Sequence, residues 1–231
     1  MRTTVPALCA LLLIAASAFS YDPTDNYEPR QIEGWTALVH KDLLKDEQLT
    51  KDTLRELEHH LYQVKRVVPA EAVEKLQKVR IWIELSHPKH PCMCYHPSAG
   101  WLKEHDMNPE KAGGVEIANA KTFLKWVHDQ PFMVLHELAH SYHHQVLGYD
   151  QPDIKACYKN AVESKKYEKV LHINGQTVKH YCLTNDQEYF AECTEAFFGT
   201  NDMFPFVRCE LKQHDPEMYA LLRQLWGLEK K

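Results

Sequence analysis

The chain has 231 residues, 44% of them hydrophobic, and a formal net charge of −5. That length and apolar content suit one sizeable packed domain. A mild acidic excess with scattered lysines excludes the basic footprint of a nucleic-acid binder.

The N-terminus reads MRTTVPALCALLLIAASAFS, with Arg2, an apolar run from Val5 to Ala18, and small residues Ala18 and Ser20 ahead of Tyr21. This predicts a secretory signal peptide over 1–20, cut before Tyr21. The run is short for a membrane span of about 20 residues. No other segment is apolar enough to cross a bilayer, so the expected product is secreted or extracytoplasmic, with no membrane attachment after cleavage. Removing the signal leaves six cysteines, Cys92, Cys94, Cys157, Cys182, Cys193 and Cys209. An even number in an exported chain predicts disulfides. Cys92 and Cys94 are too close in sequence to pair with each other, and the CMC spacing does not match the usual zinc-binding gap.

Residues 21–34 are polar, with two prolines, and read as an N-terminal leader ahead of one domain over 35–231. WTALVH (35–40) alternates as a strand. Thr50 is expected to cap a helix that carries Leu54, Leu57, Leu61 and Val64 at helical spacing; His59 and His60 ride on it without a chemical role. Pro69 opens a second helix. VRIWIEL (79–85) is β-branched and aromatic, hence a strand. SHPKHPCMCYHPSAG reads as a rigid, disulfide-held loop. GGVEIANA (113–120) is a short strand, and GVEIA is expected to be the edge that pairs with an extended peptide. A helix follows from about Pro131 to Leu147, with Asp129 as cap and Gly148 at its exit. Asn174-Gly175 marks a hairpin. Thr184 and Gln187 suggest a capping box for a helix ending at Gly199. Asp215-Pro216 opens a last amphipathic helix.

The chemistry lies in HELAH, residues 136–140. Histidines four apart share one helical face, so both imidazoles can reach one Zn²⁺ at about 2.0–2.1 Å. Glu137 projects beside them, where it can hold an attacking water. His143 lies about 10 Å from His136 along the axis at 1.5 Å per residue. One ion cannot take all three from an unbroken helix, so His143 and His144 are expected on the helix surface or supporting other groups. The third ligand must come from elsewhere. EYFAE (188–192) offers Glu188 and Glu192 on one helical face, the arrangement of gluzincins. There the first carboxylate binds zinc and the second steadies a ligand histidine. Glu195, three residues on, is the further candidate.

HELAH, then Tyr181, then EYFAE resembles the catalytic domain of anthrax lethal factor and its relatives. Glu188 follows His140 by 48 residues, and Tyr181 precedes Glu188 by seven. The resemblance covers roughly residues 110 to 200. It implies His136, His140 and Glu188 as zinc ligands, Glu137 as general base and Tyr181 as the donor to the transition-state oxyanion. His180 is the neighbouring alternative; on a strand the two would point to opposite faces. Nothing resembles the toxin's receptor-binding or insertion regions.

These readings combine into an α+β, zincin-like domain, a small mixed sheet packed on the HExxH helix with a mostly helical C-terminal part. The expected function is a secreted zinc metallopeptidase of the gluzincin type, acting on a peptide or protein with a zinc-activated water and Glu137. The alternatives are a zinc-bearing binding or toxin-like module without turnover, and a non-peptide amidase.

Overall fold

The structure is a computed structural model that describes residues 21–88 and 90–228; the expected signal peptide lies outside them. The fold is α+β. Strand β1 (Tyr27–Ile32) turns back into β2 (Trp35–His40), and short α1 (Lys41–Leu44) follows. Residues 27–32, read from the sequence as part of a leader ahead of the domain, are therefore a strand of its sheet. The turn is Glu33-Gly34, both at positive φ (51° and 97°). That is the backbone a two-residue hairpin needs. Pro29 is tolerated because β1 is an edge strand.

Helix α2 (Glu47–Val67) starts before Thr50, because the Asp46 side chain accepts from the Leu49 N–H at 3.1 Å. Thr50 instead donates its hydroxyl to the Leu43 carbonyl. Helix α3 (Ala70–Leu76) does begin after Pro69. Next come β3 (Ile81–Ile83), β4 (Met93–Tyr95), α4 (Ala99–Glu104), β5 (Val115–Ile117), α5 (Ala120–Trp126) and α6 (Met133–Tyr142). The C-terminal part is mostly helical. It holds α7 (Pro152–Ser164), a two-stranded hairpin of β6 (Val170–Leu171) and β7 (Thr177–Val178) around Asn174-Gly175, then α8 (Asp186–Phe198), α9 (Arg208–His214) and α10 (Pro216–Leu225).

The main sheet runs β1-β2-β3-β5-β4, parallel at its centre and antiparallel at both edges. The GVEIA strand is thus internal, and the edge beside α6 is β4. The loop reading of 86–100 missed β4 because its prolines and histidines hide three extended residues. Cross-strand alternation gives the sheet two characters. Ala37, Val39, Ile81, Ile83, Val115 and Ile117 face the helices in the main core. Leu38, Trp82 and Glu116 face the other way.

Helix α6 is buried at every position but Glu137. A helix buried on every side belongs in a core, and α6 packs between the sheet, α2, α3 and α8. Its last turn widens into a π-helical turn, His143–Leu147, before Gly148 at φ 83°. Trp226 stacks on Tyr142 at 4.1 Å between centroids and on Phe190 at 5.9 Å, tying α6, α8 and the C-terminal end together.

The disulfide expectation is not met: all six cysteines are free. Cys182 and Cys193 are buried as small apolar groups, and Cys92 contacts the Met133 sulfur at 3.8 Å. A core that fully buries Trp35, Trp82 and Trp226 needs no covalent staple.

Candidate metal centre

Helices α6 and α8 pack side by side, and their contact creates the site. His136 and His140 leave α6 one turn apart. Glu188 sits in the first turn of α8. That turn is fixed by Asn185, whose side chain accepts the Glu188 N–H at 2.8 Å. Asn185, not Thr184, is the cap. Three atoms then converge. His136 Nε2 is 3.0 Å from His140 Nε2 and 3.1 Å from Glu188 Oε2, and His140 Nε2 is 3.2 Å from the same oxygen.

Ligands at about 2.0–2.1 Å in tetrahedral array stand about 3.3 Å apart. The observed edges are close to that, so this donor set fits a zinc ion. The imidazole pair adds to this, because both Nε2 atoms turn toward each other and toward the same carboxylate oxygen.

Charge around the site is lopsided. Burial disfavours a charged His136 ring, but hydrogen bonds to Glu188 and Glu195 outweigh it and raise its basicity well above the usual value. Burial also pushes the Glu188 carboxyl up, but the two imidazoles override this and hold it well below the carboxylate range. On its far side the His136 ring meets Glu195: Nδ1 lies 2.7 Å from Glu195 Oε1 and 3.6 Å from Glu192 Oε1. The short contact therefore belongs to Glu195, where the sequence pointed to Glu192. Residues 188, 192 and 195 share one face of α8, and the crossing of α6 decides which of the last two is nearer. Glu192 instead accepts from the Asn201 amide at 2.9 Å. Burial, then the Glu195 charge, push Glu192 well above its ordinary value; burial raises Glu195 too. His136, Glu192 and Glu195 are a second donor grouping, but it turns inward and has one imidazole.

The convergent atoms open on a cavity of about 540 Å³. Glu137 and Tyr181 line it, with Met93, Cys94 and Tyr95 of β4 along one wall and Trp126, Met133, Tyr149 and Met203 around the rest. Tyr181 opens a 3-10 turn, Tyr181–Leu183, and is half-exposed. Burial and the Glu188 charge raise its phenol, so it stays a donor. His180 is buried away from the cavity, edge-on to Tyr167, and burial pushes its ring down to about 3. The turn replaces the expected strand, yet the two side chains still part.

His143 is not on the surface. It is fully buried against Tyr149 and Phe190, and burial pushes its ring down to about 4. Neither of its ring nitrogens has a partner among the described residues. His143 continues the stripe of His136 and His140, and that stripe faces α8. His144 Nδ1 lies 2.7 Å from the Tyr95 hydroxyl, so it braces β4. Sequence reasoning missed Met93, Tyr95, Trp126, Tyr149 and Met203 as cavity walls. They come from four separate segments, and only Met93 and Tyr95 share one, the short strand β4.

No curated protein and no solved structure matches the chain. A family model described as anthrax toxin lethal factor, N- and C-terminal domain, matches residues 35–225. That span is wider than the 110–200 read from the motifs, since it takes in four of the five sheet strands and the last helices as well. Motif helix, glutamate helix and strands β2 to β5 thus lie within one matched unit, and the chain belongs to the anthrax toxin lethal factor N- and C-terminal domain family.

Proposed function

We propose that the protein is a zinc metallopeptidase of the gluzincin type with a zincin-like fold, in which His136, His140 and Glu188 hold the ion. The observation that carries this is the convergence of two imidazole nitrogens and one carboxylate oxygen at 3.0–3.2 Å, open to a cavity that also holds Glu137. Family membership supports the same reading.

A zinc ion bound there supplies Lewis acidity, which lowers the pKa of a water and polarises a carbonyl. The remaining work falls to the chain. Glu137 is the one part-exposed residue of a buried helix. It takes the proton from the attacking water and passes it to the departing amine. The Tyr181 hydroxyl donates to the oxyanion as it forms. Glu195 accepts from His136 Nδ1, which fixes the tautomer and turns Nε2 toward the cavity.

The substrate is a peptide in extended form. Strand β4 is the sheet edge on the cavity wall, and its free backbone groups suit strand addition. The N-terminal sequence supports export of the mature chain, and among the described residues no helix is long and apolar enough to cross a membrane.

A Glu137→Gln chain tests the mechanism. It should keep its zinc by metal analysis and lose peptide hydrolysis by orders of magnitude; undiminished cleavage would reject Glu137 as base.

A further inference from the structure

The sheet face turned away from α6 carries a second cluster that peptide hydrolysis does not use. Pairing across the strands puts Cys94 directly opposite Glu116. His96 lies two residues past Cys94, so both side chains leave on that same face. Cys94 Sγ stands 3.5 Å from His96 Nε2, and His96 Nε2 stands 2.6 Å from Glu116 Oε2. All three donor atoms lie within 4.8 Å of one another. A thiolate and an imidazole on one tetrahedral zinc are about 3.6 Å apart, close to the first separation. The second is a hydrogen-bond length, and a carboxylate shift of about 0.8 Å would open it to the zinc edge.

The single ring nitrogen of His96 faces both a thiol and a carboxylate. A neutral imidazole offers one N–H or one lone pair there, and so serves one neighbour only. Charge points the same way. Lys111 Nζ is 2.5 Å from both Glu84 Oε1 and Glu116 Oε1, and all three residues are buried. With His96 neutral, as metal ligation requires, two carboxylates against one ammonium leave a negative charge in a dry place, which is costly. A divalent cation with a Cys94 thiolate brings the set to neutrality. Lys111 also holds Glu116 by Oε1 and leaves Oε2 turned toward His96, as a supporting group around a metal ligand does. A hollow of about 290 Å³, lined by His90, Cys94, His96 and Trp101, gives the way in.

We propose that Cys94, His96 and Glu116 form a second divalent-cation site, fit for Zn²⁺ through one thiolate, one imidazole and one carboxylate. It lies across the sheet from the His136–His140–Glu188 cluster. Cys94 gives up its thiol proton to solvent on binding. The ion ties β4 to β5, and so stiffens the edge strand that walls the larger cavity.

Cobalt separates the two sites, because only this one contains sulfur. The metal-free chain is titrated with Co²⁺, and thiolate-to-cobalt charge-transfer absorption is read in the near-ultraviolet. The unmodified chain should take two ions and show the band. A His136→Ala, His140→Ala double variant should take one ion and keep the band in full. Cys94→Ser should take one ion and lose it, and His96→Gln should weaken it strongly. An unmodified chain that takes a single ion without the band overturns the proposal, whatever the variants do. A band that survives Cys94→Ser overturns it too. The band is independent of hydrolysis, so this site stands or falls separately from the peptidase reading.

Discussion

His136 meets a carboxylate at each ring nitrogen, Glu188 at Nε2 and Glu195 at Nδ1. The second contact orients the first. Removing such a partner typically costs about 10–100-fold in metal affinity. Glu195→Gln should therefore weaken zinc binding by that order in competition with a chromophoric chelator. Glu192→Gln should do less, because its carboxylate stands farther off and leans on Asn201. An equal loss from both would undo the distinction. Tyr181→Phe removes the proposed oxyanion donor and should lower kcat by about 10²–10³ with KM and zinc content little changed. If kcat holds, the donor is another hydroxyl of the cavity, and Tyr149 lines the same cavity.

At the scale of elements, the site depends on how α8 begins. Asn185→Ala removes the cap and should cost about 1 kcal/mol in urea unfolding. It should also lower zinc occupancy, because Glu188 sits in the turn that the cap fixes. Across the sheet, Lys111 compensates Glu84 and Glu116. Lys111→Met should destabilise by about 3–5 kcal/mol, since it strands buried carboxylates. The same group predicts acid sensitivity. Burial opposes ionisation of Glu116, but the His96 hydrogen bond and the Lys111 charge outweigh it and lower its carboxyl from 4.5 to about 2. A depressed carboxyl contributes stability that is present above about pH 4.5 and lost as pH falls through about 2. Thermal midpoints should fall across that window, and Glu116→Gln should flatten the slope.

For the whole molecule, the proposed zinc site links metal binding to folding. An ion at about 100 times its Kd adds about 2.7 kcal/mol to the stability of the folded chain. Chelation should thus lower the unfolding midpoint as well as stop hydrolysis, and a midpoint indifferent to chelator would argue against a native-state site. Local order was legible in the sequence. HELAH fixes two imidazoles one turn apart, Asn174-Gly175 fixes a hairpin, Asp215-Pro216 opens α10, and Gly148 and Gly199 end their helices, all from rules that act within a few residues. The order of strands was not legible. Whether GVEIA or the proline-rich MCY segment forms the edge depends on long-range pairing. The cysteines misled in the same way, because spacing and export say nothing about which sulfurs meet. By itself the sequence determined a helix bearing two imidazoles with Glu137 beside them, and a second helix with three glutamates along one face. Only the tertiary structure decided that Glu188 reaches the imidazoles and Glu195 the ring behind them. The crossing of α6 over α8 sets those distances, and it is fixed by side-chain packing across the whole core.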